Sequence, residues 1–290
     1  MKKQRDTQTL FGEKSFEQPL LQALIASHPQ LFSPGRILEE RVGYDVAVQC
    51  TLGSFWSSRG IHCPPGYPLG TLFNPSKKGI SETTRYRFNL FVQCKSPEYL
   101  DKADAREWKY WEQPYYRFDL TLHQQKTLEK LADRLGYGGL VLYAVPTFHT
   151  LDDLIQHTLK GNLISNINFP EVRKLSRHYR YTYTRPGCEG IALSGPTKIR
   201  SYSLEEDLPQ LVRQSPYNTG TVFEEAAACV EDIVSENHCP GLTFRSLTDS
   251  VEQALKELNI EPATLLVIRR FLTVSIFCSL ARVAWIIAGE

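Results

Sequence analysis

A chain of 290 residues, 42% hydrophobic and 22% charged, is long enough to bury a sizeable core and has the composition of a soluble globular protein. Its formal charge of +1 excludes a global electrostatic pull toward nucleic acid, so a polyanion would have to be met by a local basic cleft. Seven scattered cysteines without a CxxC pair exclude a zinc knuckle and a disulfide framework, and most of them read as reduced core thiols of a cytoplasmic protein.

The N-terminus is basic (Met1 to Arg5) with no apolar signal core after it. Phe16, Leu20, Leu21, Leu24 and Ile25 then recur at helical spacing, which predicts a helix with Ser15 as its N-cap and Pro19 in its first turn. Ile37 to Cys50 alternates loosely and predicts one or two strands carrying Gly43-Tyr44-Asp45. Thr51 to Ser81 shifts to Gly, Pro, Ser and aromatic residues, a long irregular insertion that either covers a cleft or packs against one edge. Arg85 to Lys95 is the next strand, with Tyr86, Phe88, Leu90 and Val92 on one face and Arg87, Asn89, Phe91, Gln93 and Lys95 on the other.

Lys102, Arg106 and Lys109 recur at helical spacing among acidic residues. Leu122 to Leu135 is an amphipathic helix with Leu128, Leu131 and Leu135 on its apolar side, and Gly138-Gly139 releases it into a buried strand over Leu140 to Val145. Leu151 to Leu159 reads as a helix, and Tyr179 to Thr184 as an edge strand. From Leu204 the pattern is almost entirely helical: Leu204 to Gln214, Val222 to Glu236, Leu247 to Leu258, and Glu261 to Ala288. The last of these is very apolar. Arg269, Arg270 and Arg282 interrupt it, and its longest charge-free run, Phe271 to Ala281, falls far short of the ~20 residues a membrane span requires. It therefore reads as a buried or subunit-interface helix, with membrane contact disfavoured.

Chemistry concentrates on the strand ending Gln93-Cys94-Lys95. Side chains two apart share a face of a strand, so Gln93 and Lys95 point one way and Cys94 the other. If the Asp45 strand lies alongside, a carboxylate, an amide oxygen and an ammonium converge, a set able to hold a divalent metal and act on a phosphodiester. The run Trp108 to Phe118 interleaves aromatics with Lys109 and Arg117, a pattern for stacking bases and binding phosphate or for packing around the lysine strand. His62-Cys63 and His238-Cys239 do not supply four ligands at zinc spacing, and His149 reads as a structural or surface histidine rather than the rim of a site. The absence of GxxxxGK[ST], GxGxxG and GxSxG motifs removes a P-loop ATPase, a dinucleotide-binding dehydrogenase and an α/β-hydrolase.

The order of a helix with Glu17, a strand with Gly43-x-Asp45, a strand with Gln93-x-Lys95 and a helix with Gln124 and Gln125 resembles the PD-(D/E)XK nuclease superfamily over roughly residues 13 to 145. The resemblance implies a restriction-endonuclease-like mixed β-sheet flanked by helices, in an α/β domain over 1–200, with a helical C-terminal region over 201–290. It implies that Asp45, Gln93 and Glu17 bind Mg²⁺ or Mn²⁺, that Lys95 activates or positions the attacking water, and that Gln124 or Gln125 matches the glutamine of the following helix. Gln93 stands where the superfamily usually has Asp or Glu. It is neutral, so only its carbonyl oxygen can reach a metal, as in the QxK pattern of Mrr-type restriction enzymes. The Asp45 to Gln93 separation is also longer than the family's. DNA is the implied substrate, with Arg117 and Lys109 as further phosphate contacts and prokaryotic defence as the setting. The C-terminal helices, with Leu265, Ile268, Leu272, Ile276 and Val283 in a stripe, suit a homodimer or a partner protein. The rival reading is a catalytically inactive nuclease-like scaffold acting as an interaction or DNA-binding subunit.

Overall fold

A computed structural model describes residues 9–27, 31–32, 86–187, 189–218, 221–236, 241–256 and 262–289. Among them the fold is mixed α/β, with two five-stranded sheets and seven α-helices. The one or two strands expected over Ile37 to Cys50, the insertion over Thr51 to Ser81, and with them Asp45, lie outside the described residues. The chain forms two compact units, one built from Met1–Leu31, Phe91–Asp133 and Leu140–Gln210, the other from Phe32–Leu90, Arg134–Gly139 and Leu211–Glu290. The chain's last crossing between them falls between Gln210 and Leu211.

The first unit opens with α1 (Glu13–Ser27), whose apolar stripe of Phe16, Leu20, Leu21 and Leu24 is buried. Ser15 is not its cap. The amides of Ser15 and Phe16 both donate to the Gly12 carbonyl, so the helix starts at Glu13 and Pro19 sits beyond the first turn. Strand β1 (Leu31–Phe32) is followed by β2 (Tyr86–Cys94), which continues from the second unit into the first. The second half of β2 neighbours β5 (Gly139–Pro146), whose eight residues are all buried, and β5 pairs antiparallel with β6 (Ile167–Asn168) in the register Val145↔Asn168. The Lys95 amide closes the end of β2 by donating to the Ala144 carbonyl at 3.1 Å.

The helix predicted over Leu122 to Leu135 is α2, with the same bounds, and buries Leu128, Leu131 and Leu135. Gly136, at φ +53°, stops it, as a left-handed residue past a helix end should. Helix α3 (Leu151–Leu159) also has the predicted bounds, and the Thr150 hydroxyl caps it by accepting from the Asp153 amide at 3.1 Å.

The second sheet lies wholly in the first unit and is antiparallel throughout, in the order β3 (Glu98–Leu100), β4 (Tyr115–Asp119), β7 (Arg180–Tyr183), β8 (Gly190–Leu193), β9 (Thr197–Ile199). The strand read as an edge over Tyr179 to Thr184 is therefore its centre, because two short strands unseen in the sequence pair beyond it. The aromatic run ends in β4, where Tyr115, Tyr116 and Phe118 are buried with Tyr181 and Tyr183 of β7. Their hydroxyls are satisfied inside: Tyr183 donates to the Pro146 carbonyl at 2.7 Å and Tyr181 to Asn168 Oδ1 at 2.9 Å. Packing is the outcome for these rings. Lys102 lies in irregular chain and Arg106 on a turn, with a single 3₁₀ turn (Trp108–Tyr110) after them, so their helical spacing reflects no helix.

Helix α4 (Leu204–Gln214) leads into the second unit, which holds α5 (Val222–Ser235), α6 (Gly241–Lys256), α7 (Pro262–Ala281) and β10 (Ala284–Gly289). Two expectations are corrected here. Helix α6 begins at Gly241, ahead of Leu247, and the helix expected to run to Ala288 stops at Ala281. Arg282 takes φ +56° and the Val283 amide reaches back to the Cys278 carbonyl at 3.0 Å, which completes a Schellman-type end. Trp285, Ile286 and Ile287 are residue types that suit a strand, and β10 hydrogen-bonds to β2. Trp285 Nε1 donates to the buried Asn89 Oδ1 at 2.9 Å, while Asn89 Nδ2 donates to the Val222 carbonyl at 3.0 Å. Ile276 and Val283, two members of the proposed interface stripe, are buried in this unit, and the side chains of Leu265 and Ile268 lie outside the described ones. Among the described residues no helix is long and apolar enough to cross a membrane. Cys94, Cys229 and Cys278 are buried thiols not joined in disulfides, and burial, then the Glu225 charge, pushes Cys229 up to about 11.

Candidate functional site

The end of β2 faces two helices of the first unit. Gln93 and Lys95 share a strand face and meet Gln124, on the first turn of α2. Lys95 Nζ donates to Gln124 Oε1 at 2.8 Å, and Gln124 Nε2 donates to Gln93 Oε1 at 2.8 Å. Gln93 Nε2 in turn donates to the Cys94 carbonyl at 3.1 Å. These three bonds fix both amides: the Gln93 oxygen is turned toward Gln124 and keeps one lone pair for another partner. Glu13 closes the group from α1, with its carboxylate 3.6 Å from Lys95 Nζ. The Lys95 side chain is 11% exposed and that of Glu13 37%, so the carboxylate stands on the solvent side of the ammonium.

The predicted residues divide clearly. Gln93, Lys95 and Gln124 come together, while Asp45 lies outside the described residues. Glu17 is buried on α1, one turn beyond Glu13 and on the same helix face. Gln125 faces the interior: it accepts from the Tyr143 hydroxyl at 2.6 Å and donates to the Val172 carbonyl at 2.9 Å. Lys109 is exposed, its ammonium over the ring of Tyr110. His149 stacks on Tyr99, with ring centres 4.3 Å apart.

Arg117 belongs to a separate ion network on the second sheet. Its centre is the buried Glu107 carboxylate, which accepts from Arg117 at 2.9 Å, from Arg180 at 2.7 Å and from the Tyr115 hydroxyl at 3.0 Å. Arg117 also donates to Glu98 at 2.8 Å, and Arg180 forks onto Asp119 at 2.5 and 3.0 Å. Burial alone would raise the Glu107 carboxyl, but the bonds from Arg180, Tyr115 and Arg117 outweigh it and hold it below its ordinary value. Burial, and then the Glu107 carboxylate, push the Tyr115 hydroxyl up to about 12.

Sequence reasoning missed Glu13. Reading the helix as starting after Ser15 left Glu13 outside it, although its four-residue spacing from Glu17 was a signal that both share a face. The donors beside Lys95 are hard oxygens, the Glu13 carboxylate and the Gln93 carbonyl. Hard oxygens are the ligand type that Mg²⁺ takes. Among the described residues no group of three or more His, Cys, Asp or Glu side chains is placed to hold a metal ion. The chain matches no protein-family model, no curated protein and no solved structure.

Proposed function

We propose that the chain is a metal-dependent DNA endonuclease with a restriction-endonuclease-like core, a QxK member of the PD-(D/E)XK superfamily. The observation that carries the reading is the hydrogen-bonded chain Lys95–Gln124–Gln93 at a strand end, with the Glu13 carboxylate beside it. Lys95 Nζ, nearly buried and bonded to Gln124, is the group that would orient a water or a phosphate oxygen. Gln124 aims Lys95 by accepting from it, and its other end holds the Gln93 oxygen in place. Glu13, Gln93 and, from outside the described residues, Asp45 are the groups that would hold Mg²⁺ or Mn²⁺, which supplies charge stabilisation at the scissile phosphate. A cytoplasmic role in antiviral defence follows from the same analogy.

The deciding experiment is cleavage of supercoiled plasmid by purified protein with Mg²⁺ or Mn²⁺, with EDTA as control. Lys95→Ala should reduce cleavage by roughly 10²-fold or more while far-UV circular dichroism stays unchanged. Unchanged cleavage by folded Lys95→Ala refutes the site. A folded wild-type protein that never cuts favours the inactive scaffold, a reading that the neutral Gln93 supports.

A further inference from the structure

We infer that the turn Arg173–Tyr179 is a DNA-docking surface, in which Lys174 and Arg177 take backbone phosphates and Tyr179 stacks on an unpaired base. The inference rests on the nuclease reading for the choice of DNA. It adds where the strand is held and that an unpaired strand is preferred.

A chain balanced at +1 can hold a polyanion only where its cations are concentrated. Residues 171–200 are such a stretch, with seven Lys or Arg and two Glu. Four of these cations are already neutralised: Arg173, Arg180, Lys198 and Arg200 each lie 3.7 Å or less from a carboxylate. Lys174 and Arg177 are exposed and, among the described residues, have no ion-pair partner. The uncommitted charge of these two falls on one turn.

That turn is held in shape. Val172 and Leu175 are fully buried at its base, the His178 amide donates to the Leu175 carbonyl at 3.1 Å, and the Ser194 hydroxyl donates to the Arg177 carbonyl at 2.9 Å. Arg177 takes φ +65°, a left-handed conformation that residues with a Cβ rarely adopt and that gathers at functional positions. Tyr179 is 43% exposed, with the Arg180 guanidinium carbon 5.8 Å from its ring centre. An open ring beside cations is what a single strand needs, a face for the base and charge for the backbone.

The segment is also tied to the candidate site. At one end Gln125 Nε2 donates to the Val172 carbonyl at 2.9 Å, and at the other the Leu120 amide donates to the Tyr179 carbonyl at 2.8 Å. These fastenings flank Gln124 in the sequence, so a strand held by the turn lies at the start of α2, where Gln124 meets Lys95. An ordinary solvated turn also exposes lysine and arginine, but it predicts no localised loss of DNA affinity and no stacking by Tyr179.

Fluorescence anisotropy of a labelled single-stranded oligonucleotide and of its duplex, with full-length protein in EDTA over a salt series, separates these roles. Wild type should bind the single strand more tightly than the duplex. Lys174→Gln combined with Arg177→Asn, an asparagine being tolerant of the left-handed backbone, should weaken single-strand binding about tenfold. The slope of log K against log salt should shrink by about 1.4, the share of two phosphate contacts. Tyr179→Ala should weaken single-strand binding about tenfold and leave the slope unchanged. Lys198→Gln removes an exposed cation outside the turn and should change neither. Circular dichroism confirms that each variant is folded. Unchanged affinity and slope in the folded double variant, or an equal loss in Lys198→Gln, overturns the surface and leaves the nuclease reading to the plasmid assay. Equal affinity for both DNAs, or full affinity in Tyr179→Ala, overturns the stacking. Wild type that binds as described but cuts no plasmid refutes the nuclease and keeps the surface. Wild type that binds no DNA overturns the surface.

Discussion

Replacing Glu107 by alanine removes the acceptor shared by Arg117, Arg180 and Tyr115. The carboxylate is 2% exposed, so the three charge-assisted bonds are made out of water, and two of them come from guanidiniums. Each bond to a charged group is worth about 1.5–3 kcal/mol, and breaking a buried ion pair outright costs about 3–5 kcal/mol. The guanidiniums are not stranded, because Arg117 keeps Glu98 and Arg180 keeps both oxygens of Asp119. The loss should therefore sit at the low end, about 3 kcal/mol. With a urea m-value of about 3 kcal/mol per molar, the midpoint should fall by about 1 M in far-UV circular dichroism. A midpoint within about 0.2 M of wild type would refute the view that Glu107 ties β3, β4 and β7 together. The pH dependence has a definite sign. Because the folded Glu107 carboxyl titrates below its ordinary value of 4.5, the unfolded chain binds more protons in between, and stability falls as pH drops through that window. It is fully present above it. Glu107→Gln should flatten this acid limb.

Gln93→Glu should tighten Mg²⁺ binding in a calorimetric titration. It should also lower stability by about 1–2 kcal/mol, since a carboxylate oxygen would face the Cys94 carbonyl that now accepts from Nε2. Unchanged or weaker metal binding would mean that Gln93 is no ligand. Trp285→Phe keeps the ring between Phe223 and Phe271 but leaves Asn89 Oδ1 without the indole donor, at a cost of about 1–3 kcal/mol in chemical denaturation. A loss under about 0.5 kcal/mol would remove that bond from the account of how β10 is held.

Long segments with one strong period were legible in the sequence. Leu122–Leu135 and Leu151–Leu159 could be bounded from their apolar spacing, and the structure adds what ends the first, Gly136, and what caps the second, Thr150. Short strands were not. Glu98–Leu100, Gly190–Leu193 and Thr197–Ile199 have three or four residues each, too few to show a period, and pairing alone makes them strands. Ala284–Gly289 was hidden for a different reason: it follows an apolar helix with only Arg282 and Val283 between, so the apolar run reads as one element. At the site, the two-residue spacing of Gln93 and Lys95 carried their shared direction. The choice between Gln124 and Gln125 depended on how α2 is rotated, which places the first toward Lys95 and the second under Tyr143.

The bond between Trp285 and Asn89 spans 196 positions of the chain. At a synthesis rate of about 5–20 residues per second, the first half of β2 leaves the ribosome roughly 10–40 s before the strand that pairs with it exists. Until then the edge of β2 that pairs with β10 lacks that partner, and contacts this remote in sequence close slowly. Nascent chains should thus depend on chaperone cover over that interval more than on the speed of any local helix, and a circular permutant that joins the C-terminus to the N-terminus, placing Ala284–Gly289 ahead of Tyr86 at a separation shorter than the natural one, should refold faster than the natural order.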